Sequence, residues 1–201
     1  VREPYELENS NWESSGPYTE AAVMGTVIAF EGPDKFGKTV LSETLAIESG
    51  FEYLKFPNEK IESGILIRRM LNRLDPFDPA LLQVLQNKNK LETLYNLKDK
   101  NYIFDRYKLS EIVYGLANGL SPEYVMDLAD LLPNPDITIL VTGRPYGQDD
   151  DVYSNPAFQK RVKQLYKEEG KNAGGRVIWI CNLHTIDEVF SEIVRKLEGV
   201  I

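Results

Sequence analysis

Gly25-Thr26-Val27-Ile28-Ala29-Phe30-Glu31, followed at once by Gly32-Pro33-Asp34-Lys35-Phe36-Gly37-Lys38-Thr39, is the stretch on which the fold turns. Its first half is a short β-branched run suited to a buried strand, and its second half fits the pattern G-x-x-x-x-G-K-[ST]. A helix-period segment, Lys38–Ser49, comes next, so the loop lies between strand and helix, which is the context the pattern requires. The physical demand is a loop whose amides all point at phosphate oxygens. Gly32 and Gly37 permit that backbone around Phe36, and the helix that follows presents unpaired N–H groups and a positive dipole end. Lys38 is then expected to bridge the β- and γ-phosphates of ATP or a close relative, with the Thr39 hydroxyl on Mg²⁺. The pattern does not separate kinases from ATPases and GTPases. Asp34 and Lys35, charged residues that a plain ATPase does not need, face the acceptor side of the γ-phosphate on this geometry.

Outward from this loop the chain alternates. A strand is predicted over Phe51–Phe56, helices over Ile65–Arg73 and Pro79–Leu97, and a strand over Tyr102–Asp105. Helices over Ser110–Asn118 and Pro122–Leu131, a strand over Asp136–Val141, a helix over Asn155–Glu168, a strand over Arg176–Cys181 and a helix over Ile186–Leu197 complete the series. Five buried strands covered by helices on both faces make an α/β fold with a parallel sheet, whose ligands lie beyond the carboxyl ends of the strands. Residues 1–23, with Glu3, Glu6, Glu8, Glu13 and Glu20 opposed only by Arg2, show no sustained period. They read as an N-terminal extension, the catalytic domain being residues 24–201.

The 201 residues, 42% hydrophobic, suit one globular domain. A net charge of −8 argues against a surface built for nucleic acid, so any anion site must be local. Cys181 is the only cysteine and no Cys/His cluster offers metal spacing, which points to a reducing, cytoplasmic setting. No apolar run reaches the roughly 20 residues that span a bilayer. His184, the only histidine, has no evident carboxylate partner, and phosphoryl transfer to a phosphate oxygen does not need its base. Lys108, Lys163, Lys167 and Lys171 read as ordinary solvated charges.

Several blocks together resemble the thymidylate kinase family, over nearly all of Met24 to Ile201. The segment from Phe30 to Thr39 is similar to F-E-G-x-D-[RK]-x-G-K-[ST], and Phe56-Pro57 with Gly64 to F-P-x-R-x-T-x-x-G. Asp105-Arg106-Tyr107 with Ser110 and Tyr114 is similar to D-R-Y-x-x-S-x-x-A-Y. Pro133 to Asp136 resembles L-P-x-P-D, and Asp151 to Gln159 resembles E-x-Y-E-x-x-x-F-Q. The resemblance implies a P-loop kinase fold with strand order 2-3-1-4-5 that moves the γ-phosphate of MgATP to dTMP, giving dTDP and ADP, and it implies a homodimer. Asp34 is implied to hold the acceptor's 3′-hydroxyl, Asp105 to sit near the metal and the reacting phosphates, and Arg106 to grip the acceptor phosphate, a role that suits a planar guanidinium. Phe56, Tyr107, Ser110 and Tyr114 join the acceptor pocket, and Tyr153 packs where a ribose 2′-hydroxyl would go. The family places adenine contacts near the loop after the last strand, where Asn182 lies. It stabilises the transferred phosphoryl group through a basic residue in the P-loop or through arginines in a lid. Tyr146 to Asp151 has no basic residue, so Lys35 is expected to take that task, with Arg144 at the root of a lid running to Tyr153.

The match fails on the acceptor side. Glu59 stands at the F-P-x-R arginine, where an acid repels phosphate unless it turns away, with Lys60 beside it as a substitute. In the segment Asn89-Lys90-Leu91-Glu92, similar to N-R-W-E, Lys90 replaces an arginine, and Gln86 replaces the base-stacking phenylalanine one turn earlier. Ile61 replaces the threonine, and Thr142 the aspartate that usually ends the fourth strand. Three functions follow: a thymidylate kinase with a rebuilt pocket, a deoxynucleoside monophosphate kinase for another base, with Gln86 hydrogen-bonding the base edge, or a scaffold that binds ATP without useful transfer.

Overall fold

The computed structural model describes residues 24–147 and 151–200, so the extension expected at 1–23, residues 148–150 of the expected lid and Ile201 lie outside the described residues. The chain runs β1 (Val27–Glu31), α1 (Lys38–Ser49), β2 (Glu52–Lys55), α2 (Glu62–Leu71), α3 (Pro79–Tyr95), β3 (Tyr102–Asp105), α4 (Lys108–Ala117), α5 (Pro122–Ala129), β4 (Ile137–Thr142), α6 (Pro156–Glu169), β5 (Arg176–Cys181) and α7 (Ile186–Lys196). A 3₁₀ turn, Gly170–Asn172, links α6 to β5. The five strands are all parallel and stand in the order β2-β3-β1-β4-β5, the expected one.

Every residue of β1 is buried, and alternate side chains serve opposite layers. Ile28 and Phe30 join Leu41 and Leu45 of α1 and Val189 and Ile193 of α7. Val27 and Ala29 turn to the other face, with Phe104 of β3 and Leu94 of α3. Each fully buried large side chain of this kind contributes about 1.5–3 kcal/mol. A third cluster packs Leu109 and Val113 of α4 against Val162 and Leu165 of α6 and Leu140 of β4. The edge strands are blunted. β2 exposes Glu52 and Lys55, and β5 exposes Arg176, Trp179 and Cys181.

The helix starts follow the local chemistry. Asp78, Ser121 and Asn155 cap α3, α5 and α6, each ahead of a proline in the first turn, and Thr185 with Glu188 forms a capping box on α7. The expected boundaries move where no such signal exists. α2 begins at Glu62 rather than Ile65 after an uncapped Ile61, and α4 at Lys108 rather than Ser110. Asp136 falls just before β4: its carboxylate accepts from the Val27 N–H at 2.7 Å, while its own N–H donates to the Val27 carbonyl at 3.0 Å and its carbonyl accepts from the Arg176 N–H at 2.8 Å. The outcome that matters is that β1, β3 and β4 all end at one edge of the sheet. The loops at 32–37, 106–107 and 143–147 therefore meet there.

Candidate functional site

A cavity of about 690 Å³ opens at that edge. Asp34, Lys35, Phe36, Gly37, Lys38 and Thr39 line it from the phosphate loop, Phe56 from the end of β2, and Asp105, Arg106, Ser110 and Tyr114 from β3 and α4. Gln86, Lys90 and Tyr153 line it too, so most of the residues expected at a site converge on one space. Gly32, Tyr107 and Arg144 do not line it. Gly32 contributes backbone instead: its φ of 137° is open to glycine, and a Cβ there would lie 2.4 Å from the Val141 carbonyl oxygen. The ring of Tyr107 packs into the core beside Phe104 at 5.0 Å, and its N–H donates to Glu31 at 2.9 Å. Arg144 is exposed, and its backbone rather than its side chain is held in place.

The phosphate loop brings the expected chemistry into register. Gly37, at φ 86°, precedes α1 and lets the chain enter the helix from the left-handed region. Lys38 is buried, donates to the Pro33 carbonyl at 2.6 Å, and titrates lowered to about 8, first through burial and then through the Arg106 charge. Lys35 is exposed at φ 62°, a left-handed backbone that lysine adopts at a cost. The Thr39 hydroxyl donates to Asp105 Oδ2 at 2.5 Å. The pair brings one hydroxyl and one carboxylate oxygen together, and no group of three or more His, Cys, Asp or Glu side chains able to hold a metal ion exists among the described residues. Lys55, not anticipated from sequence, adds its ammonium 3.4 Å from Thr39 Oγ1 and 3.9 Å from Asp105 Oδ2. Its place at the carboxyl end of a parallel strand is the signal that could have found it.

Across the cavity, Arg106 stands at φ 70°. Its guanidinium pairs with Asp34, reaches Ser110 Oγ at 3.2 Å and the Tyr166 hydroxyl at 3.3 Å, and lies 5.2 Å from the centre of the Tyr114 ring. The Tyr114 hydroxyl also donates to Asp34. Burial alone would raise the Asp34 pKa, but Arg106 and Lys38 outweigh it and hold the carboxyl below its ordinary value. Beneath them Glu31, wholly buried, accepts from Ser110 Oγ and the Tyr107 N–H, and burial pushes its pKa up. Tyr153 is buried, stacks on Phe158 with centroids 4.7 Å apart, and accepts from Asn118 at 3.1 Å.

Several expectations change. Glu59 does not face the cavity: Arg68, which lines it, donates from Nε to Glu59 at 2.9 Å and cancels its charge, while Lys60 is exposed and does not line the cavity. Asn182 is not available for a base. Its amide donates to the carbonyls of Phe36 and Arg144 at 3.1 and 2.8 Å and accepts from the Arg144 N–H at 2.9 Å, tying the phosphate loop to the root of the lid. Tyr146 strengthens that tie, its N–H donating to Lys35 at 2.8 Å and its hydroxyl to the Asn182 carbonyl at 2.9 Å. Lys163 is not a simple solvated charge: its ammonium lies 5.3 Å from the centre of the Phe36 ring. Lys108 is largely covered because it bonds Leu132 O at 3.3 Å and Asn134 at 3.1 Å. Gln83 and Glu111 also line the cavity unforeseen. For Gln83 a signal existed, since Gln83, Gln86, Asn87 and Lys90 form a polar stripe at helical spacing on α3.

A family model described as thymidylate kinase matches residues 30–193. The solved thymidylate kinase of Candida albicans, described as having broad substrate specificity and a novel structural element, is similar at 26% identity over 87% of this chain and 92% of its own, with a TM-score of 0.70. The fold is also that of thymidylate kinase from Ehrlichia chaffeensis, at 22% identity over 87% of this chain and 99% of that one, TM-score 0.70. No helix among the described residues is long and apolar enough to cross a membrane.

Proposed function

Because the chain belongs to the thymidylate kinase family, we propose that it moves the γ-phosphate of MgATP onto a deoxynucleoside monophosphate, dTMP being the acceptor the family match favours. The observation that carries this is the meeting, in one cavity, of the phosphate loop with its Thr39–Asp105 pair and the Asp34–Arg106–Tyr114 cluster opposite. Lys38 and the loop amides hold the ATP phosphates, and Lys35 adds positive charge where negative charge gathers during transfer. Thr39 and Asp105 are the residues that would hold Mg²⁺, and the ion, when bound, neutralises phosphate charge. Arg106 turns from Asp34 to the acceptor phosphate, and Asp34 receives the sugar 3′-hydroxyl. In-line attack by the acceptor phosphate oxygen forms the new P–O bond as the bond to ADP breaks. Tyr153, packed by Phe158, fills the space a 2′-hydroxyl needs and favours deoxynucleotides. Closure of the segment from Arg144 to Tyr153 keeps water from the phosphoryl group.

A second function, transfer to a different base, is favoured by Gln86, which puts an amide on the cavity wall where stacking on thymine would need a ring. A coupled ADP-release assay across the four deoxynucleoside monophosphates and their ribose counterparts separates these. Transfer with at least one deoxynucleotide, abolished by Lys38→Ala, is the expected outcome. Measurable ATP binding with no acceptor-dependent ADP release would leave only the scaffold.

A further inference from the structure

Arg106 holds a backbone that arginine adopts only under constraint, φ 70°, and the helix behind it starts without a cap of its own, since the Tyr107 side chain makes no bond to the first turn of α4. Both are held from β1. The Arg106 N–H donates to the Phe30 carbonyl at 2.9 Å, and the next N–H, that of Tyr107, donates to Glu31 Oε1 at 2.9 Å. Glu31 Oε2 accepts from the hydroxyl of Ser110, one turn along α4, so one carboxylate clamps both ends of that turn at the positive end of the helix. The clamp reaches the guanidinium as well. Ser110 Oγ has one proton, and the carboxylate takes it. The acceptor side of the hydroxyl is left to Arg106 Nη1 at 3.2 Å and to the Tyr166 hydroxyl at 2.9 Å, and these two fill it. Arg106 therefore has two ends with separate tasks. Nη1 is propped by Ser110, by the Tyr166 hydroxyl at 3.3 Å and by the Gly32 carbonyl at 3.4 Å, while Nη2 pairs with Asp34 in the cavity.

We propose, resting on the reading of Arg106 as the group that takes the acceptor phosphate, that Glu31 is a positioning residue: it fixes the Ser110 proton and the start of α4, so that Nη1 stays in place while Nη2 swings from Asp34 to the acceptor. Glu31 is 1% exposed and does not line the cavity, so it acts on the acceptor through Arg106 and its supports. Glu31→Gln keeps one oxygen for the Tyr107 N–H but brings an N–H to Ser110 Oγ, whose acceptor side is already full. One buried donor around Ser110 then loses its acceptor, and the negative charge behind Arg106 is gone. Nη1 loosens, and a phosphate must order the guanidinium as it binds instead of meeting it ready. The ATP phosphates rest on Lys38 and the loop amides, and the Glu31 carboxylate hydrogen-bonds to neither, so the loss falls on the acceptor.

Steady-state kinetics of the full chain with MgATP and whichever of dAMP, dCMP, dGMP and dTMP it uses best tests this, with a melting curve for each variant. Glu31→Gln raises the acceptor KM about tenfold and holds the ATP KM within about twofold. In a Ser110→Ala background the same change raises the acceptor KM by less than about threefold, because the hydroxyl through which it acts is gone. Glu31→Asp keeps the charge but shortens its reach, moves the acceptor KM in the same direction, and carries the test if Glu31→Gln does not fold. An acceptor KM unmoved in a folded variant overturns the inference while leaving the kinase intact. Equal losses for ATP and acceptor, or a Glu31→Gln effect undiminished without the Ser110 hydroxyl, overturn it in the same way. No transfer to any of these nucleotides by the unaltered chain sinks the kinase reading and this inference together.

Discussion

At the scale of single residues, the site is held ready by charges that lean on one another. Lys38 is the clearest example, because burial and Arg106 bring its titration down to about 8 in the ligand-free chain. Its folded pKa lies below its unfolded value, so the unfolded chain holds the extra proton between about pH 8 and 10.5. The burial penalty is present in full below that window and is relieved as pH rises through it. Bound ATP phosphates favour the charged form, so nucleotide binding above pH 8 must take up a proton. Calorimetry at pH 8.5 in buffers of different ionisation enthalpy should show net proton uptake on ATP binding, absent in Lys38→Met, with apparent affinity falling as pH climbs. Binding with no proton linkage would refute the burial account. Lys38 and Thr39 were singled out by the phosphate-loop spacing and Asp34 and Asp105 by the family blocks, and all four line the cavity. Glu111 was not, since its meaning depends on Lys90, Asn87 and Gln83 arriving from another helix.

At the scale of elements, the phosphate loop and the lid root behave as one piece joined by Asn182. This residue sits after β5, 146 positions from the Phe36 it holds, which is why a lone amide in the sequence carried so little meaning. Asn182→Ala leaves the Phe36 carbonyl and both Arg144 backbone groups without their partner and should destabilise the chain by about 1–3 kcal/mol in urea unfolding. It should also weaken ATP binding about tenfold while sparing the acceptor nucleotide. Loss of ATP affinity with unchanged stability would mean instead that Asn182 touches the base. The same contrast explains the boundaries. Helices opened by Asp78-Pro79, Ser121-Pro122 and Asn155-Pro156 announce themselves locally, whereas α2 follows an uncapped Ile61 and carries Gly64 where a Cβ would come within 1.9 Å of the Asn58 carbonyl oxygen. That constraint is tertiary and leaves no local mark.

At the scale of the whole molecule, the order of the strands was legible through the family blocks, while the residues that line the base end of the cavity were not, because they face one another only after folding. The described surface exposes Ile65 and Leu66 on α2 and Leu81, Val84 and Tyr95 on α3. A homodimer through packed helices would cover such groups, so sedimentation velocity at micromolar concentration should show a two-chain species that Val84→Glu dissociates. A single-chain species across that range would overturn the expectation. The pairing of Asp34 with Arg106 has a consequence for which molecules the site admits. A bare phosphate that drew Arg106 away would leave Asp34 its Tyr114 hydroxyl but take its guanidinium, and a bare nucleoside that engaged Asp34 would leave Arg106 only its bonds to Gly32, Ser110 and Tyr166. In the proposed kinase, a molecule carrying both a hydroxyl and a phosphate, at the separation a nucleotide sets, replaces the lost contact of each partner at once. The lock answers to two keys turned together, so nucleoside and phosphate offered separately should fall short of the monophosphate by more than the sum of their parts.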